Sequence, residues 1–185
     1  MKKIILLGPP SAGKTSIRKF FFEDTPIAEL LKPLSLEPTI GVSWHNYELY
    51  NTKIGVVDTS GQEILNISSE EYIFIGADAV IFIFDVLQFQ ESKLLQLEFI
   101  NYLVEIVARR DVLEENYDIY VFVHKMDVVE QGKVEETKSK ISSTIIKGMK
   151  DKFGSDMRLK INFTSINKAI VDSTYNLLKN IVQSG

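Results

Sequence analysis

Gly8-Pro9-Pro10-Ser11-Ala12-Gly13-Lys14-Thr15 follows directly on the apolar run Ile4-Ile5-Leu6-Leu7 and leads at once into a helical pattern over 14–22. A strand, then Gly-x4-Gly-Lys-Thr, then a helix is the context that a phosphate-binding loop requires. Gly8 and Gly13 permit the tight backbone path, so that the amides of Ala12, Gly13, Lys14 and Thr15 can converge on phosphate oxygens at a helix N-terminus. Ser11 and Ser16 complete the set of residues expected around the phosphates. Lys14 is expected to reach the β- and γ-phosphates and to serve catalysis there, and the Thr15 hydroxyl to coordinate Mg²⁺, a hard cation that prefers oxygen ligands. The plainer alternative is a glycine turn with an N-capping threonine. The full motif in its strand-loop-helix setting outweighs it.

Outward from the loop, the chain alternates short β-rich runs with helical segments, the pattern of a parallel α/β sheet. Strands are expected at 4–7, 42–49, 54–57, 80–84, 119–123 and 159–163. Helices are expected at 14–22, 92–108, 134–152 and 168–182; in the second of these, Leu95, Phe99, Leu103 and Ile106 recur at helical spacing. The runs 42–49 and 54–57, separated by the turn-like Tyr50-Asn51-Thr52-Lys53, read as a hairpin and so contribute one antiparallel strand. The stretch 25–37, with Pro26 and Pro33 and then Pro38, resists regular structure and is expected to be a mobile loop. The expected fold is therefore α/β: a P-loop NTPase with a six-stranded, mostly parallel sheet, one antiparallel edge strand and helices on both faces.

The strand at 54–57 ends in Asp58-Thr59-Ser60-Gly61-Gln62-Glu63. A carboxylate there faces the same rim as the phosphate loop, and Asp58 suits a water-mediated contact to Mg²⁺. Gly61 can bring its N–H close to a γ-phosphate, and Gln62 can orient a water for in-line attack. Asp-x-x-Gly alone is weak evidence, because both residues are common in turns. Behind a phosphate loop and at the end of an apolar strand it becomes strong.

Composition narrows the possibilities. The 185 residues, 45% apolar and 25% charged, fit one globular domain. A net charge of -4 argues against a general nucleic-acid binder. No apolar run approaches the ~20 residues that a membrane-spanning helix needs, and the four apolar residues after Met1-Lys2-Lys3 are too few for a signal peptide. The absence of cysteine excludes disulfides, thiolate metal sites and prenyl or palmitoyl anchors, and Lys2 excludes N-myristoylation. The expected location is cytoplasmic with no direct lipid anchor, and any recruitment to a membrane would come through a partner.

With these motifs in order, the sequence resembles the Ras-superfamily GTPases: GPPSAGKT, an isolated threonine in Pro38-Thr39-Ile40-Gly41, DTSGQE, and a base-recognition motif downstream. The resemblance spans nearly the whole chain. It implies that Thr39 lies in switch I, coordinating Mg²⁺ and sensing the γ-phosphate, and that switch II runs from Gly61 to roughly Tyr72. The usual Asn-Lys-x-Asp stands here as His124-Lys125-Met126-Asp127. Asp127 can accept hydrogen bonds from guanine's ring N–H and exocyclic amine, and the Lys125 stem can cover the base. His-Lys-x-Asp resembles the Rag-type GTPases, as do Lys14-Thr15-Ser16-Ile17-Arg18 and Phe163-Thr164-Ser165-Ile166. By that resemblance Ser165 and Ile166 supply the loop that closes over guanine. A structural hydrogen bond is expected of His124 whatever else it contributes.

Two departures qualify the likeness. Rag proteins carry a C-terminal roadblock-type dimerisation domain, whereas this chain ends at Gly185, so a single G domain over 1–185 is expected, as in a truncation or a stand-alone relative. The stretch 38–50 is also closer to ordinary Ras-like proteins.

The implied activity is a switch that binds GTP or GDP with Mg²⁺, hydrolyses GTP slowly and changes switch I and II to control partner binding. Exchange factor, activating protein and effectors are the implied partners, with pairing to itself or a paralogue left open. The residues before Thr39 are Leu36, Glu37 and Pro38, so no arginine stands there to act in cis. The competing reading is a GTP/GDP-binding scaffold or dimer subunit with negligible hydrolysis; Gln62 counts against it and Pro10 leaves it open. A small-molecule kinase would need arginine-rich acceptor sites that are not found. Trp44 is expected to serve the core, with a partner hot spot as the second reading, and His45 to be solvated. Leu94, Leu97, Ile100, Val104 and Val107 form a second helical stripe, either an interaction face or a contact with a neighbouring helix.

Overall fold

The computed structural model describes residues 1–32, 41–59, 71–154, 159–167 and 170–184. Six strands form one sheet: β1 (Lys2–Leu7), β2 (Val42–Leu49), β3 (Thr52–Thr59), β4 (Ala79–Asp85), β5 (Asp118–His124) and β6 (Leu159–Phe163), in the order β2-β3-β1-β4-β5-β6. Only the β2–β3 pair is antiparallel. The hairpin is tighter than expected. Tyr50 and Asn51 both take positive φ, 51° and 60°, and close a two-residue turn, so that Thr52 and Lys53 already belong to β3 opposite Leu49 and Glu48. Positive φ at both central residues matches the right-handed twist of the flanking strands.

Alternating side chains divide the core between the two faces of the sheet. On one face, Ile4, Leu6, Val56, Ile81 and Phe122 pack with Ile17 and Phe21 of α1 (Lys14–Phe22), and with Leu178 and Ile181 of the last helix, Val171–Gln183. On the other, Ile5, Val57, Phe82 and Phe84 pack with the second long helix, Lys93–Val112, and the third, Val134–Phe153. All seven β4 residues are buried, as befits the strand at the centre.

Several boundaries differ from expectation for local reasons. Ser92 caps the Lys93–Val112 helix, its Oγ accepting from the Leu95 N–H at 3.2 Å, and the helix runs four residues beyond 108. A short helix, Val86–Glu91, was not foreseen. Asp85 caps it, accepting from the Leu87 N–H at 2.8 Å, and its Phe89 ring lies 5.0 Å from that of Phe84. Within 25–37, Ile27–Leu30 makes one helical turn that buries Leu30, correcting the reading of that stretch as wholly irregular. The last helix is α-helical over Val171–Gln183, and residues 168 and 169 of the expected span lie outside the described residues.

The second stripe of the Lys93–Val112 helix splits. Ile100 and Val107 are buried, while Leu94 and Leu97 are exposed. Ile100 sits over Gly148 of the third long helix, where an added Cβ would come within 2.8 Å of it. Helix-to-helix packing therefore accounts for the buried half of the stripe. On the edge strand β2 the alternation is present but its phase is reversed from expectation. Trp44 is 51% exposed, with the Lys3 Nζ 5.0 Å from its ring. His45 is half-buried, stacked on Tyr47, with its Nε2 inaccessible and without a hydrogen-bond partner among the described residues. Among the described residues no helix is long and apolar enough to cross a membrane.

Candidate functional site

The C-terminal ends of the parallel strands share one rim, and β1 lies where the strand order reverses, between β3 and β4. An open α/β sheet offers a ligand crevice at that point. The loop after β1 lies there. Gly8 has no alternative: an added Cβ would stand 2.0 Å from the Ile83 carbonyl oxygen of β4. Ser11 takes a left-handed conformation, φ 60°, and the Ala12 N–H donates to the Pro9 carbonyl at 3.3 Å. Gly13, φ 100°, opens α1, with Thr15 and Ser16 in the first turn.

Lys14 is buried, and its Nζ donates to the carbonyls of Gly8, 2.8 Å, and Pro9, 2.9 Å. Burial pushes its ammonium down to about 8, with the Asp58 charge opposing. The loop thus already holds a cation at its centre.

Asp58, on β3, is wholly buried. One oxygen, Oδ2, accepts from the Thr15 hydroxyl at 3.2 Å and from Arg18 Nε at 3.1 Å. The other, Oδ1, is buried without a hydrogen-bond partner among the described residues. Buried carboxylate oxygens are normally satisfied. An orphaned oxygen beside the Thr15 hydroxyl fits the donor set that Mg²⁺ takes, hard oxygen ligands completed by water and phosphate.

The base motif follows β5. His124 ends the strand, buried, with Nδ1 3.0 Å from the Thr164 hydroxyl. Its ring packs so closely on the phosphate loop that a Cβ on Gly13 would come within 2.6 Å of Cδ2. Burial, then the neighbouring Lys125, pushes the imidazole down to about 4, so it is neutral near pH 7. Lys125 adopts φ 60° and sends its Nζ to the Ser11 carbonyl and to Asp85, each at 2.8 Å. Asp127 accepts from the Ser165 hydroxyl at one oxygen and from Asn167 Nδ2 at the other, 3.2 Å. Ser165 is itself tied down, its N–H donating to Thr174 at 3.0 Å. Ile166 is buried in the core of the α1 face, which anchors the loop it belongs to.

The expected residues Gly8, Ser11, Ala12, Gly13, Lys14, Thr15, Ser16, Asp58, His124, Lys125, Asp127, Ser165 and Ile166 therefore lie along one rim. Thr39, Gly61 and Gln62 lie outside the described residues. Four site residues escaped the sequence reading: Arg18, Asp85, Thr164 and Asn167. Arg18 and Thr164 lay inside the quoted motifs, but nothing in their spacing disclosed their partners.

The geometry agrees with the chain's likenesses. Residues 3–184 match the family described as the Gtr1/RagA G protein conserved region. Among curated proteins, the Ras-related GTP-binding protein A of Dictyostelium discoideum is 28% identical over 135 residues, 69% of this chain and 42% of that protein. An ADP-ribosylation factor-like protein of the same organism is 30% identical over 103 residues, 50% of this chain and 54% of its own length. The chain thus spans about half the length of these curated relatives. Among solved structures, the mammalian SRP receptor superposes with a TM-score of 0.68 at 13% identity, covering 97% of this chain and 100% of that one. A bacterial selenocysteine-specific elongation factor gives 0.64 at 17% identity, covering 100% of this chain and 29% of that one. At such identities these structures speak for the fold alone: a P-loop G domain. With the motif order, the sheet and the match over 3–184 in agreement, the chain belongs to the Gtr1/RagA family of small GTPases.

Proposed function

We propose that the chain, acting as one G domain, is a guanine-nucleotide switch that binds GTP and GDP with Mg²⁺ and hydrolyses GTP slowly. The observation that carries this reading is the junction between phosphate loop and base motif: His124 packed on Gly13 and Lys125 bonded to the Ser11 carbonyl. A nucleotide joins phosphates to a base, and a site that welds the two recognition elements together is built for both at once.

In this reading the loop amides and Lys14 take the phosphates, with Lys14 exchanging its bonds to Gly8 and Pro9 for phosphate oxygens. Asp127 selects guanine by accepting from its ring N–H and amine, held in place by Ser165 and Asn167, and the Lys125 stem covers the ring. Mg²⁺, held by Thr15, by Thr39 and through water by Asp58, would neutralise phosphate charge. Gln62 orients the attacking water, and Thr39 and Gly61 sense the γ-phosphate so that hydrolysis releases both switches. Without an arginine in cis, turnover is slow, and an arginine supplied by an activating partner accelerates it by ~10³ to 10⁵. The output is a changed surface for effectors in the cytoplasm.

The test is to titrate GTP, GDP and ATP with and without Mg²⁺, then follow phosphate release from wild type and Gln62→Leu. Guanine preference with measurable, Gln62-dependent turnover is expected. Equal binding of ATP and GTP overturns the guanine assignment, and turnover indistinguishable between the two proteins leaves the scaffold reading in its place.

A further inference from the structure

Thr15 and Arg18 are three residues apart on α1 and so share a face, and both donate to the same oxygen of Asp58. The guanidinium is fixed at its far end too. Its NH1 donates to the Tyr47 hydroxyl of β2 at 2.9 Å and to the Glu23 carboxylate just past the end of α1. Tyr47 in turn donates to Glu23 at 2.8 Å, and its ring stacks on Phe22 at 5.2 Å. Arg18 is 7% exposed. A planar fork held at both ends and packed in the core cannot swing to the second carboxylate oxygen, and a lysine would not reproduce its geometry.

We propose that Arg18 is a positioning residue for the Mg²⁺ site: by clamping Oδ2 of Asp58 it leaves Oδ1 free, and thereby sets Mg²⁺ affinity from outside the ligand sphere. The inference rests on the reading of Asp58 as a Mg²⁺-shell residue. Tyr47 extends the clamp to the strand that follows switch I, so the position of β2 and the strength of the Mg²⁺ site are linked. An arginine that merely braced α1 against β3 would alter thermal stability and leave Mg²⁺ dependence alone.

The experiment loads the chain with a fluorescent GDP analogue and measures its dissociation rate against buffered free Mg²⁺, with the rate in excess EDTA and the melting temperature as controls. In Arg18→Ala the Mg²⁺ midpoint should rise about tenfold or more, the scale typical of losing a partner that orients a metal-site ligand. Arg18→Lys should recover part of that shift, and Tyr47→Phe, which removes one tether of the guanidinium but leaves its bond to Asp58 in place, should move the midpoint up by a smaller factor, about two- to threefold. The rate in EDTA should be unchanged throughout. A midpoint that stays put or falls in Arg18→Ala, while Asp58→Asn raises it, overturns the positioning role. A midpoint unmoved in Asp58→Asn shows instead that the Mg²⁺ reading has failed, and this inference with it. Should Arg18→Ala not fold, unmoved midpoints in both Arg18→Lys and Tyr47→Phe overturn the proposal equally.

Discussion

The two ends of the site are built differently. At the base end the main polar groups are already engaged: His124 with Thr164, Lys125 with Ser11 and Asp85, and Asp127 with Ser165 and Asn167. At the phosphate end Lys14 donates into its own loop, and Asp58 keeps one buried oxygen without a partner among the described residues. On the proposed function, rigid recognition belongs where the ligand does not change, since the base is common to GTP and GDP. Unspent hydrogen-bonding capacity belongs where the ligand does change, at the phosphates.

The largest effect is expected where the two ends touch. Gly13→Ala forces a Cβ into the His124 ring at φ 100°. The ring is buried and bonded to Thr164 and cannot step aside, so about 2–5 kcal/mol should be lost in chemical denaturation, combining backbone strain with overpacking. Adding His124→Ala should return the overpacking share and leave the strain. Simple additivity of the two variants would mean that the ends are not coupled through this contact.

Next comes acid. His124, depressed to about 4 by burial and by Lys125, with Asp127 and Asp85 opposing, stays neutral in the fold, while the unfolded chain takes up a proton through about 6.5. Between those values the unfolded state binds more protons, so stability falls as pH falls, by about 2 kcal/mol from pH 7 to pH 5. His124→Asn should flatten that slope, read from denaturation midpoints at the two pH values. An equal slope in the variant would place the acid sensitivity elsewhere.

Asn167→Ala frees one oxygen of Asp127. It should weaken GDP binding by about fivefold, the scale of one hydrogen bond, without moving the Mg²⁺ midpoint. A shift in Mg²⁺ dependence would blur the division between the ends. Smallest of all, Trp44→Ala removes a half-exposed surface ring that meets the Lys3 ammonium and should cost less than about 1 kcal/mol in thermal melts. A larger loss would restore the core role that the sequence suggested for it.

Much of the architecture was legible beforehand because it is local. Strand and helix periods differ, and glycine and lysine at fixed spacing after an apolar strand carry their own mechanism. The strands at 42–49 and 159–163 and the helix at 14–22 were therefore read to the residue. Helix caps were read less well. Ser92 and Asp85 are ordinary polar residues until their oxygens meet the Leu95 and Leu87 amides.

By itself, then, the sequence determined the phosphate loop, the order of the motifs and the single antiparallel hairpin, since each depends on residues adjacent in the chain. Tertiary structure alone decided which polar groups pair across the sheet. Arg18 and Asp58 are 40 residues apart, as are His124 and Thr164, Lys125 and Asp85, and Asp127 and Asn167. It also decided which face of β2 turns inward, placing His45 in and Trp44 out, and why Gly13 must be glycine, which depends on a histidine ring more than 100 positions away. The physical reason is common to all of these. A hydrogen bond or a steric limit exists only once the strand order β2-β3-β1-β4-β5-β6 brings distant ends to one rim, and no local pattern encodes that meeting.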